Sequence, residues 1–164
     1  MEWTKQIGRY IIVMAMQVLL FNQLQVWDLC HPYVYILCLL MLPITLHHTV
    51  DMLIGAAVGL IMDIFCNSLG IHMAGCVLIM FIRPYLLGIV VNDKDRLNEQ
   101  ISLRTLEMEA LLKYVILLVV IHHLVVFLLA AWSWSHIGFV LAETIVSSVV
   151  TIALIIGYNL LIYK

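Results

Sequence analysis

The side chains able to do chemistry in this chain are few and stand in an apolar sequence. Asp51, Asp63, Arg83 and Glu143 are the charges that fall within or beside hydrophobic runs, and His31, His47, His48, His72, His122, His123 and His136 are the titratable rings. In hydrocarbon such a side chain needs a partner, a wet cavity or a function. Asp63 has the most informative surroundings. In GAAVGLIMDIFCNSLG (55–70), Gly55, Gly59 and Asp63 recur at intervals of four, so they share one stripe of a helix. A small-residue stripe lets a second helix approach closely but is common in packed spans; followed by a carboxylate and then Gly70, it is more specific. A carboxylate capping the C-terminal end of its own helix would oppose the dipole, which disfavours that role for Asp63. A polar contact with a neighbouring helix, or with the turn 67–70, is the preferred reading. Contact with a partner or a ligand is the alternative.

Arg83 precedes Pro84, which frees the carbonyl of Met80 one turn back for the guanidinium or a water. Arg83 also comes within reach of Asp51, whereas Asp63 lies too far away, by roughly 10 Å along the helix axis. His122 and His123 are the polar interruption of their run and point about 100° apart, so the two rings need different neighbours. Cross-helix hydrogen bonding by neutral imidazoles is the preferred role. His47, His48 and Asp51 have ligand types that could hold a metal, but that reading is disfavoured, and no metal or cofactor is expected. There is no H-E-x-x-H, nucleophile elbow or phosphate loop, so catalysis has no starting residue and no enzyme is expected. The four cysteines form no C-x-x-C pair; Cys38 and Cys76 read as core residues, and a Cys30–Cys66 disulfide is disfavoured. No basic patch supports nucleic-acid binding.

The elements that position these groups follow from composition. The 164 residues are 65% hydrophobic and 11% charged, with a mean hydropathy of +1.11. Soluble domains are about 45–50% apolar and about 25% charged, so this is the composition of an integral membrane protein. A helical span needs about 20 apolar residues. Six candidates stand at 7–26, 33–47, 50–66, 71–91, 114–132 and 137–163, giving one all-α polytopic membrane domain over 1–164. The first run follows Lys5 and Arg9 and has no A-x-A site after it, so a retained span is expected. Residues 33–66 would measure roughly 50 Å as one helix and are cramped as two. Two short helices with a turn near 47–50 are preferred over a re-entrant pair of half-helices.

Six spans with a cytoplasmic N-terminus put Lys5, Arg9, Lys94, Arg96, Arg104, Lys113 and Lys164 inside, seven of the eight basic residues. The positive-inside rule therefore predicts that both termini are cytoplasmic. Trp27, Trp132 and Trp134 then mark the outer boundary. Asp63 and Glu143 fall near the outer side, Arg83 in the inner half and Asp51 at the inner margin. The polar stretch 92–113 either extends the fifth helix inward, lies on the membrane surface or docks a cytoplasmic partner.

The segment LPITLHHTVDMLIGAAVGLIMDIFCNSLGIHMAG (42–75) resembles the most recognisable region of the MreD family, the small polytopic subunit of the bacterial rod-shape machinery. Pro43, Gly55, Gly59, Asp63 and Gly70 carry the resemblance; outside 42–75 it rests on length and span number. It implies a non-enzymatic scaffold of cell-wall elongation in the bacterial cytoplasmic membrane. It also implies a fold similar to the substrate-binding subunits of energy-coupling-factor transporters. The implied partners are an MreC-type bitopic protein and, in the wider complex, RodA, a penicillin-binding transpeptidase and MreB. The outer turn after Asp63 is tighter than in longer family variants, and His122–His123 has no counterpart role. The alternative function is a small-molecule-binding transporter subunit, with Asp63, Glu143 and His72 converging from the outer side.

Overall fold

The computed structural model describes residues 2–23, 29–43, 46–90 and 106–163, and these are all-α. Six α-helices follow one another: α1 (Glu2–Leu19), α2 (Ile36–Leu40), α3 (His48–Cys66), α4 (Ile71–Val90), α5 (Met108–Ala131) and α6 (Ile137–Tyr163). Single 3-10 turns at Phe21–Gln23 and Trp134–His136 follow α1 and precede α6. From α3 to α6 each helix is long and apolar enough to cross a membrane. Consecutive long helices pack against each other, α3 on α4, α4 on α5 and α5 on α6. Trp27, Lys94, Arg96, Arg104, Lys164 and most of the polar stretch 92–113 lie outside the described residues. Of that stretch, Met108–Lys113 forms the first turns of α5, so the fifth helix does extend beyond the expected start at 114.

The ends of the long helices are set by local chemistry. His47 caps α3, its ring nitrogen accepting the amide of Thr49. Asn67 closes α3 in the left-handed region at φ 53°, and Gly70 follows at φ 82°, a conformation that costs glycine nothing. These two residues make the reversal between α3 and α4 tight. Trp132 ends α5 in the same left-handed region, and Trp132 and Trp134 are 86% and 83% exposed.

The expected span over 33–47 is corrected. Its only helix among the described residues is α2, five residues and about 7.5 Å long, too short to cross a membrane. All five residues of α2 are buried, at 4% exposure or less. The chain around α2 nevertheless keeps pace with α6. His31 meets Glu143 and Ser147, Tyr33 meets Thr151, and Leu37 and Met41 share a small gap with Ile155 and Asn159. Two residues, 31 to 33, match four residues of α6, about 6 Å of rise, which only a nearly extended backbone provides. Residues 29–43 are therefore a broken segment running through the middle of the bundle, half extended and half helical.

Candidate functional site

The broken segment explains where the polar residues of the core go. Irregular backbone is tolerated at membrane depth only where protein groups satisfy it. Gln17 of α1, fully buried, donates through Nε2 to the carbonyl of Pro32 at 3.1 Å and accepts the amide of Tyr35 at 3.2 Å. From the other side, Ser147 Oγ accepts the amide of His31 at 2.9 Å and Thr151 Oγ1 accepts that of Tyr33 at 3.2 Å. Pro32 brings no amide to satisfy. Thr144, Ser147, Ser148 and Thr151 line one buried face of α6 at helical spacing. This polar stripe was readable in the sequence as an i, i+3, i+4, i+7 pattern in an apolar helix, but sequence reasoning passed over it together with Gln17.

Tyr33 and Tyr35 carry the segment's side chains into a cluster of rings. Tyr35 Oη stands 3.0 Å from His72 Nδ1 and 2.9 Å from His122 Nε2. His122 Nδ1 is buried with no partner among the described residues. An orphaned acceptor costs less than an orphaned N–H, which places the proton of His122 on Nε2, donating to Tyr35. The tyrosine hydroxyl then donates to His72 Nδ1. His123 faces elsewhere: its Nδ1 is 2.9 Å from the carbonyl of Val119 and its Nε2 is 3.3 Å from Thr151 Oγ1. A carbonyl only accepts, so Nδ1 holds that proton and Nε2 accepts from the threonine. The two rings thus turn to different neighbours, as their angular separation requires. Tyr33 stacks on His123 at 5.0 Å between centroids, and meets His72 edge-on at 5.0 Å. Gly75 makes room for this arrangement, since a Cβ there would stand 2.9 Å from Val126 and 3.2 Å from the ring of His122.

Asp63 adjoins the cluster through His72. Its Oδ1 accepts the Ser68 hydroxyl at 2.6 Å and the His72 amide at 2.9 Å, and its Oδ2 accepts the Met73 amide at 2.9 Å. Asp63 therefore caps not its own helix but the N-terminus of the next one, where the dipole favours an anion. The glycines of the same stripe face the same way. A Cβ on Gly59 would lie 2.4 Å from Met73 Cα and 2.8 Å from the His72 carbonyl; one on Gly55 would lie 2.7 Å from Met80 Cγ and 3.1 Å from the Cys76 carbonyl. The whole stripe is consumed in holding α3 against α4, and Gly70 shapes the turn between them.

The second charged group is separate. Arg83, 1% exposed, donates from Nε to Tyr114 Oη at 2.9 Å and from Nη1 to Asp51 Oδ2 at 2.8 Å. It also donates to the carbonyls of Leu42 and Pro43. One guanidinium thus ties α3, α4, α5 and the end of the broken segment. Fully buried Leu39, Ile79, Met80, Val115 and Leu118 separate it from the histidine cluster. Glu143 stands 3.4 Å from His31 Nε2 at the opposite end of the molecule and does not meet Asp63 through any described contact. His47, His48 and Asp51 serve three different partners: the α3 backbone, the Phe81 ring and Arg83. Among the described residues no group of three or more His, Cys, Asp or Glu side chains could hold a metal. No family model, curated protein or solved structure matches the chain.

Proposed function

We propose that this chain is a non-enzymatic integral membrane scaffold of the bacterial cell-wall elongation complex, acting in the control of cell shape. One observation carries the reading. The Gly55–Gly59–Asp63 stripe and the Arg83–Asp51–Tyr114 group spend their polar chemistry on fixing helices to one another. Such a chain offers a rigid body rather than a reactive centre, which suits a scaffold. The resemblance of 42–75 to the MreD family supplies the context. The chain would lie in the cytoplasmic membrane with both termini inside, crossing it with α1, the broken segment and the four long helices. Its partners would be an MreC-type bitopic protein and, through it, RodA, a penicillin-binding transpeptidase and MreB. The test is depletion of the chain in its host combined with affinity capture of the tagged protein. Rounding of the cells and recovery of a single-span coiled-coil partner are expected; cells that keep their rod shape would refute the role. Topology has its own check: a cysteine at Ser68 should label from outside and one at Asn98 should not.

A specific observation favours a second reading, a small-molecule-binding transporter subunit. Discontinuous membrane segments often build substrate sites, and the segment around α2 brings Tyr33, Tyr35 and His72 together. A thermal-shift screen separates the two, because saturable stabilisation by a metabolite would favour the subunit.

A further inference from the structure

Between α1 and α6 the surface opens into a cavity of about 240 Å³ lined by Ile12, Val13, Met16, Leu37 and Leu154, with Arg9 and Tyr158 at one end. Its walls are almost wholly apolar. From Arg9 to Met16 the groove follows α1 for about 10 Å, and Phe21 continues the wall beyond, a length comparable with one leaflet of about 15 Å. The Arg9 end lies on the same side of the molecule as the Arg83 group. Tyr158 also borders the gap beside Met41, and the Tyr10 hydroxyl donates to the Met41 carbonyl. By the charge distribution this is the cytoplasmic side. An apolar slot running along one leaflet, with Arg9 among the residues at its cytoplasmic end, presents the two chemistries of an anionic phospholipid in the right order.

We propose that the α1–α6 groove is a binding site for one anionic phospholipid of the inner leaflet, its acyl chain along Val13, Met16 and Leu154 and its phosphate at Arg9. The site does not depend on the scaffold role, only on residence in a membrane. It belongs to the lipid that the groove faces rather than to a soluble phosphate, because the lining beyond Arg9 offers nothing to a polar solute.

The test uses the full chain reconstituted with phosphatidylglycerol carrying a diazirine in one acyl chain. After irradiation, adducts are mapped by mass spectrometry. Adducts are expected to concentrate on Val13, Met16, Val34 and Leu154, and unlabelled phosphatidylglycerol should compete while phosphatidylcholine does not. Arg9→Gln should lower the yield in the groove about fivefold. Adducts spread over exposed Ile7, Leu53 and Ile64 in proportion to their exposure would overturn the site. So would equal competition by the two lipids, or competition by inorganic phosphate. If Arg9→Gln fails to fold, the wild-type map and the competition decide.

Discussion

Asp63 and Met73 are joined across the α3–α4 turn by a hydrogen bond of 2.9 Å from the Met73 amide to Oδ2. With the His72 amide on Oδ1, the carboxylate takes the place of the side-chain cap that Gly70, at the start of α4, cannot supply. Asp63→Ala should therefore cost about 1–2 kcal/mol, the usual worth of a helix cap. Asp63→Asn, which keeps one acceptor oxygen, should cost less. Thermal unfolding of the purified protein in detergent measures both. An alanine variant as stable as the parent would show that the cap contributes nothing.

The two glycines of the stripe are not equivalent. At Gly59 an added methyl meets the backbone of Met73 and His72, which cannot yield without moving α4; at Gly55 its nearest contact is Met80 Cγ, part of a flexible side chain. Gly59→Ala is predicted to cost at least about 2 kcal/mol and Gly55→Ala clearly less, since overpacking typically costs about 1–3 kcal/mol. The ranking is the checkable quantity, and equal melting temperatures for the two variants would refute it.

Arg83 and Asp51 form a buried ion pair whose members are 2% and 7% exposed at the side chain. Removing one member leaves the other charge buried, at about 3–5 kcal/mol. Arg83→Met and Asp51→Leu should each be severe, and the double variant should recover part of the loss. It will not recover all of it, because the carbonyls of Leu42 and Pro43 and the hydroxyl of Tyr114 lose their donor as well. A double-mutant cycle on thermal stability reads the coupling; strictly additive losses would contradict it.

What the sequence made legible was whatever repeats with helical period or breaks the apolar background. The four long helices, the stripe on α3 and the reach of Arg83 toward Asp51 all follow from such patterns. The histidine pair was visible for the same reason, and the separate hydrogen-bond partners of His122 and His123 follow from their angle. The segment 33–47 defeats that logic. Hydropathy measures whether a stretch is buried, and α2 with its flanks is buried. It does not say whether the backbone satisfies itself. Here the amides of His31, Tyr33 and Tyr35 are satisfied by side chains 116, 118 and 18 residues away, and no local signal encodes such pairings. Pro32 and Pro43, which bracket α2, were the only local hint. The roles of Tyr35 and Gly75 were hidden similarly, since each depends on His122 arriving from another helix.

The broken segment gives the sharpest prediction. Gln17→Leu would remove both the acceptor of the Tyr35 amide and the donor to the Pro32 carbonyl, two buried backbone groups at once. Each orphaned group costs about 1–3 kcal/mol, so this conservative-looking change should rank among the most damaging in α1, whereas Met16→Leu on the neighbouring exposed position should be nearly neutral. Thr151→Val should act likewise on the Tyr33 amide, and should also withdraw the donor from His123 Nε2. Amide hydrogen exchange separates this local effect from general loosening. In the parent protein the amides of Tyr33 and Tyr35 should exchange as slowly as those within α5. In Gln17→Leu the Tyr35 amide should open first, and in Thr151→Val the Tyr33 amide. Fast exchange of both amides in the parent, at the rate of the exposed turn Trp134–His136, would mean that residues 29–43 do not run buried through the bundle.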